Sequence, residues 1–141
     1  MMRARTASGE DEQIAHVLRR CGFGPKHGDI ERWRARGPEA LIEALLEDDA
    51  IRVLDQDSMF DQFGGGELDG DDVFRALIDQ MLAATNPLHE RMTWYWHTHF
   101  TTSIESSEDA FGWQQHQLIR RFGLGNFREL ARAISTDAGM L

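Results

Sequence analysis

The stretch Trp94-Tyr95-Trp96-His97-Thr98-His99-Phe100 is the richest in side chains able to do chemistry. His-x-His is a metal-ligand spacing on extended backbone, where residues i and i+2 share a face. On a helix, at about 100° per residue, the same two imidazoles point roughly 200° apart. The surrounding pattern is helical. With Leu88 as origin, Met92, Tyr95, Trp96 and His99 fall within about 80° of it. His99 is therefore expected in the core, hydrogen-bonded to a polar group, and His97 on the opposite side near Glu90 and Trp94. The two can hold one ion only if the helix ends or unwinds before His97. Gln115 lies inside a Phe111/Leu118/Phe122 stripe further along and should meet a buried polar partner, for which His99 is a sensible candidate. His97, His99 and Gln115 are the candidate site residues, and His97 and His99 the candidate metal ligands. His116, flanked by Gln114, Gln115 and Gln117, reads as a surface or interhelical residue.

Other constellations carry less. Asp55, Asp57, Asp61, Glu67, Asp69 and Asp71 invite a calcium reading, but Met59 and Phe60 stand where an EF-hand needs an oxygen ligand and the turn glycine. Gly64-Gly65-Gly66 lacks the lysine and the Ser/Thr of a phosphate loop. Ser103, Ser106 and Ser107 lack the strand-to-helix context of a nucleophile elbow. Cys21, the sole cysteine, sits at a buried-stripe position and excludes both an internal disulfide and a cysteine-based zinc site. No cofactor motif is evident.

The elements that must position these residues are all helices. A loose tail is expected over 1–12, then a helix to Cys21 with Ile14, Val17, Leu18 and Cys21 on one stripe. Gly22-Phe23-Gly24-Pro25 stops it. A short helix over 29–36 turns Ile30 and Trp33 inward. Pro38 opens another through Glu47 with an apolar face of Leu41, Ile42, Leu45 and Leu46. Residues 48–71 read as a long acidic connection, the least ordered internal segment. Asp71 begins a helix to about Thr85 that should bury Val73, Phe74, Leu77, Ile78, Met81 and Leu82. Asn86-Pro87 caps a helix through Phe100. After a polar loop over 101–109 come a helix over 110–122 and, capped by Asn126, one burying Phe127, Leu130, Ala131 and Ile134. Residues 137–141 look like the start of a further helix. The expectation is an all-α, irregular bundle of six to seven helices with a long acidic loop. Residues 13–141 would form the N-terminal part of one helical domain.

Net charge is −9, and residues 39–79 hold 13 acids against two arginines. No basic stripe suited to phosphates exists, which argues against nucleic acid. No apolar run approaches the ~20 residues of a membrane span. No signal peptide is visible, so the cytoplasm is the default location.

Four segments in order carry a family resemblance. They are His16–Pro25, Asn86-Pro87-Leu88 through Arg91-Met92, Trp96-His97-Thr98-His99-Phe100-Thr101-Thr102-Ser103, and Leu124-Gly125-Asn126-Phe127-Arg128-Glu129-Leu130. Together with Asp137–Leu141 they resemble the bacterial domain of unknown function 1800 family. The resemblance spans the chain from about residue 14. It implies a helical fold and a longer parent protein continuing into an Asn-Glu-Asn, Arg-Glu-Leu-rich region, and it carries no agreed activity and no catalytic residues. Members often neighbour a second family of unknown function, which implies a protein partner.

Two functional readings follow. In the first, the chain is a helical scaffold or interaction segment of a larger protein, without independent activity, meeting a protein partner or the C-terminal part of its own chain. In the second, it is part of a metal-dependent helical hydrolase in which His97 or His99 and Gln115 contribute, with the remaining site residues beyond Leu141.

Overall fold

The computed structural model describes residues 3–47, 70–100 and 109–140. Among these there are seven α-helices, a terminal 3-10 turn and no strand, so the all-α expectation holds. The helices are α1 (Arg3–Cys21), α2 (Asp29–Arg34), α3 (Gly37–Leu46), α4 (Gly70–Ala83), α5 (Pro87–His99), α6 (Asp109–Phe122) and α7 (Phe127–Ser135), followed by the turn Ala138–Met140. Of the acidic connection expected over 48–71, residues 48–69 lie outside the described residues, with the triple-glycine reading and every residue of the calcium reading except Asp71, which falls in the first turn of α4. Residues 101–108 of the polar loop expected over 101–109, with its three serines, lie outside them too. Packing divides the chain into two compact units, residues 1–49 with 86–91 and residues 50–85 with 92–141.

The first unit is built around Ile14 and Leu18 of α1 and Leu41 and Leu45 of α3, with Val17, Cys21, Ile30, Trp33 and Leu88 packed against them. Both buried pairs are i, i+4, the spacing that stacks side chains on one helix face. α1 begins at Arg3, so the expected tail is helical from there. Residues 3–8 have no apolar stripe, and periodicity could not find them. Arginine and alanine are nonetheless good helix formers and extend a helix already nucleated by its buried end. The apolar face assigned to α3 was too wide: Ile42 and Leu46 are exposed. A bidentate pair, Arg34 Nε and Nη2 donating to the Asp11 carboxylate at 2.8 and 2.7 Å, ties α2 to α1. That hydrogen bond holds the Asp11 carboxyl below and the Arg34 guanidinium above their ordinary ranges.

The chain leaves α1 through two glycines with different jobs. Gly24 has φ of 109°, a left-handed conformation that disfavours other residues. Gly22 is required for close approach, because a Cβ there would stand 2.7 Å from Pro87 Cβ and 3.2 Å from the Leu18 carbonyl oxygen. Asn86 completes the junction: its amide donates to the Leu45 carbonyl at 3.0 Å while its Oδ1 accepts from Leu88 N at 3.1 Å, capping α5. Gly22→Ala is expected to destabilise this unit by about 1–3 kcal/mol through overpacking against a rigid proline ring. In α1 itself, a methyl group on Gly9 would meet only open space, so Gly9→Ala should stabilise by roughly 0.5–1 kcal/mol. Opposite shifts of the denaturant midpoint for one chemical change are the expected result; equal shifts would refute it.

The second unit centres on Ile119 of α6 and Leu130 and Ile134 of α7, with Trp96, Phe100, Leu118 and Phe122 around them. Asn126 caps α7 by accepting from Arg128 N at 2.9 Å. Phe127, expected on the buried side, is exposed. α4 departs most from its hydropathy pattern. It buries Ala76 and Leu77, whereas Phe74, Ile78 and Leu82 are exposed at 56%, 36% and 66%. Its apolar stripe is wider than the contact it makes, so the small Ala76 takes the core position that the larger residues were expected to fill.

Candidate functional site

α5 carries the residues singled out from sequence, and it presents them the other way round. His99 is exposed and His97 is half-buried. The residues that α5 buries are polar: His89, Glu90 and Thr93, each at 5% exposure or less. Trp94 and Tyr95 stand outward at 41% and 52%. The side bearing Trp94, Tyr95 and His99 is thus the accessible one, and the assignment of His99 to the core is corrected by it. A hydropathy projection locates the greasiest face, and in α5 that is not the buried face.

His97 and His99 do not converge. The His99 ring lies among Tyr95, Trp96 and Phe100, with centroids 6.2, 5.8 and 5.1 Å away. His97 instead meets His116 of α6, ring centroids 5.9 Å apart and inclined by 57°. His116 is only 1% exposed, which corrects its reading as a surface residue. Its ring stacks on Trp113 at 6.0 Å, and His97 stacks on Trp94 at 6.2 Å. The four rings form a series from exposed Trp94 through His97 and His116 to Trp113, itself 1% exposed.

Around this series α6 buries an unusual number of polar side chains. Gln115, His116, Gln117 and Arg120 are all at 7% exposure or less. Gln115 is buried as expected, but its amide donates to the Asp137 carboxylate at 3.5 Å rather than meeting His99. Gln117 donates to Gln80 Oε1 of α4 at 3.4 Å. Hydropathy contains no signal for this buried polar wall. The nearest hint in the sequence was local: four consecutive polar residues, Gln114-Gln115-His116-Gln117, set between Trp113 and Leu118-Ile119, which demand burial. In the first unit, His89 and Glu90 are a second buried titratable pair, Nδ1 to Oε1 at 3.6 Å.

Chemically, the His97–His116 pair offers two imidazoles beside two indoles in a poorly hydrated setting. Burial pushes the His97 pKa below its ordinary 6.5, partly offset by a hydrogen bond to its own backbone. Its neutral form is therefore favoured, the form that accepts protons or binds metal. Among the described residues no group of three or more His, Cys, Asp or Glu could hold a metal ion. The lowered pKa has a stability consequence. Between the folded and unfolded values the unfolded chain binds more protons at this site, so stability rises with pH there. The contribution is complete above the unfolded value and is lost as pH falls through the lower folded one. Equilibrium unfolding between about pH 5 and pH 7 should show this slope, and His97→Gln should reduce it. An unchanged slope in the variant would assign the pH dependence elsewhere.

Fold and site together define a class: an all-α protein whose second unit encloses a polar, histidine-containing wall. A family model described as "Protein of unknown function (DUF1800)" matches residues 16–141, and the chain belongs to that family. No curated protein and no solved structure matches it. Among the described residues no helix is long and apolar enough to cross a membrane.

Proposed function

We propose that this chain is a helical scaffold and interaction segment without independent activity. The observation that carries the reading is what the family-resembling segments do in the fold. In the first unit, Gly22 admits Pro87, Asn86 joins Leu45 to the start of α5, and the Arg91 guanidinium lies 5.8 Å from the Phe23 ring centre. In the second, the Trp96 indole donates to the Gly123 carbonyl at 2.7 Å and stacks on Phe127, while Asn126 caps α7. These are close approaches, caps and ring contacts, the means by which helices are held in place.

A second reading, part of a metal-dependent hydrolase, is favoured by one observation, the His97–His116 contact. Two imidazoles sharing a tetrahedral zinc, with bonds of ~2.0–2.1 Å, have ring centres roughly 5 Å apart. The observed 5.9 Å exceeds that by roughly 1 Å. Metal analysis of the purified protein separates the two. The scaffold reading expects no stoichiometric zinc, iron or manganese that depends on these rings. Stoichiometric metal that disappears in both His97→Ala and His116→Ala, with the helical signal retained, would replace it with the hydrolase reading.

A further inference from the structure

We infer that the exposed ridge of α4 docks into the groove along α7 of a second copy of this chain. Both surfaces belong to the second unit. The ridge consists of Phe74, Ile78 and Leu82, all exposed and spaced i, i+4, i+8. The groove is an open cavity of about 970 Å³ whose lining includes Phe127, Ala131 and Ser135 with Phe122 near its start. Phe127, Ala131 and Ser135 repeat the same i, i+4, i+8 spacing, and beyond Phe127 they are small. Eight residues at ~1.5 Å rise make each row about 12 Å long, so ridge and groove match in length. A large-residue i±4 ridge entering a small-residue i±4 groove is the commonest class of helix packing, with a crossing near −50°.

Charge selects the pairing. Exposed Asp71 and Asp79 accompany the ridge, and the one cation on that helix, Arg75, is already engaged with Asp72 at 3.5 Å. The groove is bordered by exposed Arg128 and Arg132, against one carboxylate, Glu129. Ridge against ridge would oppose like charges; ridge into groove places aspartates beside arginines. Because the two patches differ, the contact is heterologous and does not close at a dimer unless its rotation happens to form a ring. It extends the scaffold reading, supplying the surface through which such a scaffold would assemble.

Sedimentation velocity of the whole chain tests this, run from low to high micromolar concentration in about 0.15 M salt to screen the net charge of −9. The expected result is a weight-average mass that rises with concentration. Ile78→Glu should abolish the rise. Asp71→Lys/Asp79→Lys and Arg128→Glu/Arg132→Glu should each weaken association by at least about tenfold, a change of ~1.4 kcal/mol. Mixing those two variants should restore it, because each then offers the other a complementary ridge and groove. All the substituted residues are exposed, so the far-ultraviolet helical signal should be unchanged, and recovery in the mixture is itself evidence that both variants fold. A chain that stays monomeric throughout overturns the inference, as does self-association indifferent to these charges or a mixture that does not recover. None of those outcomes touches the scaffold reading, which the metal analysis decides separately.

Discussion

Trp113→Ala is expected to destabilise the second unit by about 3–5 kcal/mol, the range for removing a large aromatic side chain from a packed interior. Trp113 is the largest of the fully buried side chains, at 1% exposure, and its ring supports His116. Its truncation removes apolar area and leaves a cavity beside the His116 ring. The indole N–H has no hydrogen-bond partner among the described residues. Trp113→Phe therefore deletes a buried donor that gains nothing from the fold, along with part of the ring volume. It should lose markedly less stability than Trp113→Ala. Chemical denaturation of both variants, followed by helical signal, provides the comparison. If phenylalanine is as damaging as alanine, the indole nitrogen has an essential partner and the packing argument fails. A second readout concerns the site: losing the ring beneath His116 should disturb the imidazole pair, visible as changed His97 and His116 resonances in the phenylalanine variant.

Which parts of the fold were legible in the sequence depends on the force responsible. The helices of residues 9–47, 87–99 and 109–135 were legible because their ends are set by local chemistry: glycine after α1, proline at the start of α3 and α5, asparagine before α5 and α7. Their cores were legible where an i, i+4 apolar pair meets another, as Ile14 and Leu18 meet Leu41 and Leu45. The wider stripes were over-read. Ile42, Leu46, Phe74, Ile78, Leu82 and Phe127 share the periodicity of the core without sharing its burial. Periodicity fixes a direction around the helix axis, and only the partner helix fixes how much of that arc is covered.

The candidate site was half legible. Gln115 was found because a polar residue inside an apolar stripe must be satisfied, and a buried carboxamide meeting a carboxylate does satisfy it. The partner was not found, since Asp137 lies 22 residues away and reaches it only through the turn after α7. His97 and His99 were separated correctly by helical geometry, on opposite sides of α5. Their assignment to inside and outside was reversed, because α5 turns Glu90 and Thr93 inward and Trp94 and Tyr95 outward. Burial of polar groups is unfavourable until each is hydrogen-bonded, and that satisfaction is a property of neighbouring elements that no projection of one helix contains.

Ile14→Ala is the second large effect, about 2–5 kcal/mol, and it concerns the first unit. Ile14 is wholly buried and forms the centre of the cluster with Leu18, Leu41 and Leu45. It belongs to α1, which begins eleven residues before it at Arg3 with a stretch that carries no apolar stripe in sequence. Truncation should therefore do two things at once. The cavity weakens the packing of α1 on α3, and the helix upstream of Gly9 loses the buried turn that nucleates it, because a short polar helix is marginal alone. Amide exchange distinguishes these. Protection should fall across α1 and α3 together, with residues 3–9 losing theirs entirely, while a conservative Ile14→Val, at roughly 0.5–1.5 kcal/mol, keeps the same pattern at smaller amplitude. If residues 3–9 keep their protection when Ile14 is alanine, they are held by contacts of their own, and the account of α1 as a propensity-driven extension from a buried anchor is wrong.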